Sequence, residues 1–214
     1  MGILSNAQVE QLYDRNAGAY DLLVTGLRWA GLSRWRRNLV DRMSLKQGDH
    51  VVDLCAGTGA NIPFLLDRVG SEGRVTLVDL SQGMLAKARK RASRLQAKNV
   101  AFVQTDVAGF EFPNDLDAVI STFGLEMPPD YAEIIGRASD ALPAGGHLAL
   151  LGLKHPESWP HWLISTGILL TKPFGVSRDY EEFRPWVPAR EHLSEIHFRE
   201  FLFGCAYEFV GVKK

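Results

Sequence analysis

Three aspartates stand where short apolar runs give way to loops: Asp53 in VVDLCAGTGANI, Asp79 in RVTLVDL and Asp106 in NVAFVQTD. A carboxylate about 20 residues beyond a glycine turn can accept both hydroxyls of a ribose as a bidentate pair, and that is the chemistry expected of Asp79. Asp106 is placed to take the exocyclic amine of adenine, with Met84 and Val107 as apolar flanks. Asp53, beside the loop, suits a ligand that brings positive charge, such as an amino-acid ammonium or a sulfonium. For Asp53 and Asp106 the competing role is to cap the helix that follows.

The loop between them, AGTGA at 56–60, lets backbone approach a ligand closely, and the helix after it offers free amide groups. A dinucleotide fingerprint needs a third glycine, but Gly57 and Gly59 are followed by Ile62; a P-loop needs a Gly-Lys-Ser/Thr that is absent. A nucleoside with a cationic tail fits better than a pyrophosphate.

A second group of residues could serve an acceptor. Ser121 stands near the end of the run LDAVISTF and Glu126 just past it, and the alternative for Glu126 is a solvent-facing loop acid. His155 and His161 flank a proline-rich turn and titrate in the useful range, though such histidines often only satisfy backbone groups. Trp159, Trp162, Trp186 and Phe174 stand among Lys172, Arg178, Arg184 and Arg190, a combination suited to a lid over an amphipathic acceptor or to ordinary packing with exposed charges.

These residues need a scaffold, and the pattern supplies an α/β one. HVVDLC, RVTLVDL, NVAFVQTD, LDAVISTF and GGHLALLGL read as five buried parallel strands. Amphipathic helical stretches alternate with them, the pattern of a doubly wound sheet. Helices are expected over residues 1–46, with Ser33 as a cap for SRWRRNLVDRM. The cofactor core is expected over 47–153, an insertion over 154–192, and a hairpin from SEIHFREFLF and AYEFVGVKK over 193–214, all in one domain.

Composition narrows the class. The chain has 214 residues, 46% of them hydrophobic, with 24 basic against 25 acidic side chains, so no net field draws it onto nucleic acid. KARKRASR reads as the solvated face of a helix that could also touch anionic lipid. Cys55 and Cys205 stand outside any metal or disulfide spacing, no metal is expected, and the cytoplasm is the expected location. The start, MGILSNAQVEQ, turns polar before a signal core forms, and WPHWLISTGILLTKPFGV is too interrupted to cross a bilayer.

In order and spacing, VVDLCAGTG, TLVDLS, VQTD and DAVISTFGLEM resemble the successive motifs of class I S-adenosylmethionine-dependent methyltransferases. The likeness is strongest over roughly residues 48–153, and nearest to the ubiquinone/menaquinone C-methyltransferases and bacterial phosphatidylethanolamine N-methyltransferases. YDLLVTGLRWAGLSRW keeps the quinone enzymes' Tyr-Asp start and final Trp, while Val24, Arg28 and Leu32 replace their usual Asn, Ser and His; Cys55 stands where glycine is frequent.

The resemblance implies a Rossmann-like seven-stranded sheet with a C-terminal antiparallel hairpin, and S-adenosylmethionine as methyl donor. It implies a cofactor set of Tyr20, Asp53, Ala56, Gly57, Thr58, Gly59, Asn61, Asp79, Leu80, Met84, Thr105, Asp106, Val107, Ser121 and Thr122. Tyr20, Glu126 and His155 become catalytic candidates, and Trp159, Trp162, Arg178 and Arg184 acceptor-binding ones. The acceptor would be small and apolar or amphipathic: a phospholipid headgroup amine, or a quinone-like or prenylated aromatic, reached by a protein peripheral to the membrane. The competing classes are a non-catalytic binder of the same cofactor and a nicotinamide-dependent oxidoreductase.

Overall fold

The computed structural model describes residues 31–154, 156 and 183–214. The first helix, α1 (Leu32–Asp41), starts from Gly31 at φ +94°, so Ser33 lies inside its first turn and is not the cap. The alternation that follows is β1 (His50–Leu54), α2 (Ile62–Val69), β2 (Arg74–Asp79), α3 (Gln82–Arg94), β3 (Val100–Gln104), a 3-10 turn (Val107–Gly109), β4 (Ala118–Thr122), α4 (Tyr131–Ala141) and β5 (His147–Leu153). A short α5 (Trp186–His192) leads into β6 (Ser194–Phe201) and β7 (Ala206–Val212).

Seven strands form one sheet in the order β3-β2-β1-β4-β5-β7-β6. The first five are parallel, and β7 is antiparallel to both β5 and β6. This is the class I Rossmann-like architecture. Strand order reverses between β1 and β4, so the crevice beyond the carboxyl ends of those two strands is where a ligand belongs.

Alternation along each strand separates two cores. Val52, Leu54, Val119, Leu148 and Leu150 face α4 and α5, whose Ile134, Ile135, Ala138, Trp186 and Ala189 complete that layer. Val51, Leu77, Ile120, Ala149 and Leu151 face α1, α2 and α3 through Leu39, Met43, Leu65, Leu85 and Ala88. Each fully buried aliphatic side chain contributes about 1.5–3 kcal/mol, so the two layers hold the strand ends in fixed register. Trp186 is 5% exposed and packs against Phe198 and Tyr207, which places it in the core and not in a lid.

Candidate functional site

The parity of β1 and β4 turns Asp53 and Thr122 toward α1 and α2. Asp53 is fully buried, and both its oxygens accept from Asn61 Nδ2, at 3.1 and 3.0 Å, from the residue that opens α2. The same Nδ2 lies 3.0 Å from Thr122 Oγ1, to which Arg36 Nε donates at 3.2 Å from α1. The Arg36 guanidinium lies over the Phe123 ring, 5.1 Å from its centroid. Burial pushes the Asp53 carboxyl up to about 7; the Asn61 amide and the Arg36 charge pull it down, and Asp79 adds to the rise.

Asp79 ends β2, with each oxygen holding one backbone amide: Oδ2 accepts from Gly57 at 2.7 Å and Oδ1 from Ser81 at 2.9 Å. One carboxylate thus ties the small-residue loop to the start of α3, and each oxygen keeps a lone pair for a further donor. Burial raises its carboxyl above the usual range, against the two amides. Ser81 caps α3 by accepting from the Met84 N–H at 3.1 Å, and Met84 is buried.

The two loop glycines have different jobs. Gly59, at φ +69°, allows packing: a Cβ there would lie 2.5 Å from Ile62 and 3.0 Å from Ala88. Gly57, at φ +54°, ties its amide to Asp79, and a Cβ there would meet nothing within 4 Å. Open space over a left-handed glycine is what a closely approaching ligand needs. Cys55 (φ 52°) and Phe123 (φ 57°), at the ends of neighbouring strands, are also left-handed without being glycine, and such strain gathers at functional sites. Gly124 has no side chain because Cys55 occupies the place where one would go.

Burial pushes the Cys55 thiol well up, and the charges of Asp79, Glu126, Asp53 and Asp106 push it further. Carboxylates at or just beyond the ends of β1, β2, β3 and β4 thus lie near enough to act on the Cys55 thiol. Asp106 also caps the 3-10 turn, accepting from the Ala108 N–H at 3.0 Å, and Val107 is buried behind it. The capping expectation thus holds for Asp106, whereas Asp53 caps nothing. Ala56 is buried, and Thr58, Leu80 and Thr105 are half-buried around the rim. Ser121 donates to the Leu54 carbonyl at 2.9 Å, linking β4 to β1.

On the other face Glu126 is half-buried and is not the solvent-facing acid considered above. Its Oε1 accepts from the Leu153 N–H at 2.7 Å and rests against the bare Cα of Gly152, with the Tyr207 hydroxyl on the other side of that space. Burial pushes Glu126 up to about 7, and raises the Tyr207 phenol, with Glu126 adding to it. Arg184 is exposed near the start of α5. Tyr20, His155, His161, Trp159, Trp162, Lys172, Phe174 and Arg178 lie outside the described residues.

Arg36, Gly152 and Tyr207 were not anticipated, yet two of them leave a trace in the sequence. Helical spacing puts Arg36 on one stripe with Leu32, Leu39 and Met43, a lone cation on an apolar face. Gly152 interrupts the buried run HLALLGL, and a glycine inside a strand marks a close approach.

The sheet order defines a class I Rossmann-like fold. Residues 1–163 match the ubiE/COQ5 methyltransferase family, and this chain belongs to that family. It is 36% identical over 162 residues to 2-phytyl-1,4-naphtoquinone methyltransferase of Synechococcus elongatus, covering 74% of this chain and 69% of that one. It is 28% identical over 156 residues to demethylmenaquinone methyltransferase of Listeria monocytogenes, covering 72% of this chain and 65%, just under two thirds, of the relative. Phosphoethanolamine N-methyltransferase 2 of Haemonchus contortus, solved with S-adenosyl-L-methionine, superposes with a TM-score of 0.73 at 16% identity, over 99% of this chain and 60% of that one. The cyclase SpnF superposes with a TM-score of 0.76 at 15% identity, over 100% and 98%. At these identities the two structures share the fold.

Proposed function

We propose that this chain binds S-adenosylmethionine in the crevice beyond β1, β2 and β3 and transfers its methyl group to a small apolar or amphipathic acceptor, of the quinone-like or lipid kind. The observation that carries the reading is the Asp79 carboxylate at the end of β2, tied to the Gly57 and Ser81 amides with lone pairs to spare beside the open space above Gly57, in an acidic crevice that suits a cationic ligand better than a pyrophosphate. Family membership and the names of the two relatives point the same way.

The residues fit such a cofactor. Asp79 keeps lone pairs for two ribose hydroxyls, Gly57 leaves open space above the loop, and Asp53 with Asn61 presents a buried acid to a cationic tail. Bound there, the group supplies a methyl on a sulfonium, which leaves as a neutral thioether. The protein's share is to hold nucleophile and methyl in line and to take the acceptor's proton where it has one to lose. Glu126 is the base for that proton: it is fixed by the Leu153 amide at the carboxyl end of β5, and burial sets it to change charge near neutrality. From an enol or phenol acceptor, the Glu126 carboxylate would take the proton lost on methylation. A neutral amine needs no base until the bond has formed.

The acceptor side is completed by Tyr20, His155, Trp159, Trp162, Arg178 and Arg184 in this proposal, with the protein peripheral to a membrane. No helix among the described residues is long and apolar enough to cross one. The experiment has two stages. Calorimetric titration with S-adenosylhomocysteine and with NAD is expected to show binding of the first only. Transfer of labelled methyl across quinol, phospholipid and amine pools is then expected in the quinol or lipid pool. Binding with silence in every pool would establish the non-catalytic reading instead.

A further inference from the structure

The turn between β6 and β7 breaks two local rules at the same residues. Hairpin tips in left-handed conformation favour Asn, Asp and Gly, which tolerate positive φ and face water. Here Leu202 (φ 52°), Phe203 (φ 55°) and Gly204 (φ 84°) are left-handed in succession, so two large apolar residues carry the strain. Both are held out of the protein: Leu202 is 46% exposed and Phe203 87%. The turn is closed by hydrogen bonds from Gly204 N–H to the Phe201 carbonyl (3.2 Å) and from Cys205 N–H to the Leu202 carbonyl (3.1 Å), which fixes Phe203 outward.

Position gives the feature meaning. Because β5 and β6 are both antiparallel to β7, they run in the same direction, and the tip lies at the carboxyl-end edge of the sheet, the edge that carries Glu126 and the crevice. Leu153, paired with Ala206 at that edge, adds a third exposed apolar side chain, at 45%.

We propose that Leu202 and Phe203 are a wedge that enters the apolar part of a lipid bilayer and brings the acceptor side of the site against the membrane surface. This deepens the reading of a quinone-like or lipid acceptor and rests on it. Area argues against a protein partner: two protruding side chains offer at most a few hundred Å², whereas a stable protein interface buries ~1,200 Å² or more. A bilayer is a continuous apolar solvent and accepts a single wedge, aromatics being favoured at its interface. Among the described residues, the neighbouring cations Lys154 and Arg199 are engaged within the chain, with Glu200 and Glu208. The wedge therefore works by apolar insertion, and its binding depends little on anionic lipid or salt.

The test is sedimentation of the full-length chain with phosphatidylcholine vesicles, with and without phosphatidylglycerol, for the wild type and Phe203→Asn. Asparagine followed by Gly204 suits this turn, so the hairpin is kept while the wedge is removed. The expected result is vesicle binding by the wild type, nearly equal on both lipid mixtures, and weakened about tenfold in Phe203→Asn. Affinity for S-adenosylhomocysteine is expected to stay unchanged in the variant. The inference is overturned if the wild type stays in the supernatant, if the variant binds equally well, if binding requires phosphatidylglycerol, or if the substitution instead converts a dimer to a monomer. Loss of S-adenosylhomocysteine binding by the wild type would defeat the functional proposal itself, which the vesicle result leaves untouched.

Discussion

Asp53 illustrates a residue kept against the interest of stability. In the folded chain it holds its proton up to about 7, whereas in the unfolded chain it loses it near 3.8. The folded state binds more protons between these values, so this group's contribution to stability falls as pH rises across that window. Asp53→Asn removes the buried charge and is expected to raise the unliganded protein's stability at neutral pH by about 1–3 kcal/mol, flattening its pH dependence, as denaturant unfolding will show. The same substitution is expected to weaken S-adenosylmethionine. Glu126 is the second such acid. At saturating cofactor, kcat for a proton-losing acceptor should rise with pH to a plateau above about 7, and Glu126→Gln should remove that limb and lower kcat by about 10²-fold or more. Gly152→Ala puts a methyl where Glu126 Oε1 rests and should lower kcat while leaving S-adenosylhomocysteine affinity unchanged by calorimetry. The strand-end aspartates could be named from the sequence because a buried acid at such a place needs a purpose. The partners of Glu126 could not, because contact between the β4–α4 loop, Gly152 and Tyr207 depends on which strand lies next to β5.

At the scale of elements, the loop between β1 and α2 is held from two sides. Asp79 binds it from β2, and Asn61 anchors α2 to Asp53 and Thr122 under the reach of Arg36 from α1. Replacing Arg36 with leucine fits the apolar stripe but removes a buried cation that partly offsets Asp53; it is expected to weaken cofactor binding about tenfold while costing less than about 1.5 kcal/mol in unfolding. The strands and central helices could be read from their periodicity, since runs such as HVVDL are buried along their whole length. The start of α1 lies two residues before the one expected from Ser33 as its cap, because Gly31 uses a left-handed backbone and not a side chain to begin the helix. Of the two roles open to Trp186, lid or ordinary packing, the second holds: the composition around it is aromatic and cationic, but α5 packs its tryptophan on Phe198 and Tyr207.

At the scale of the molecule, the described residues pack three helices on one face and two on the other of a seven-stranded sheet, whose strand ends form one acidic crevice. The five parallel strands follow from alternation in the sequence and the terminal hairpin from its strand-like runs and the family likeness, while the order of the strands in the sheet depends on contacts distant in the sequence. Net charge is −1, so the attraction offered to a cationic ligand is local, made by four acids and not by the molecule at large. That local field and the grip of Asp79 carry the whole account. The most direct measurement is calorimetric titration of the wild type and Asp79→Ala with S-adenosylmethionine. The account predicts tight one-site binding by the wild type and a loss of about 100-fold or more in the variant, which forfeits the sugar contacts and frees the Gly57 loop. Equal affinity in the two proteins, or no binding by either, would contradict it.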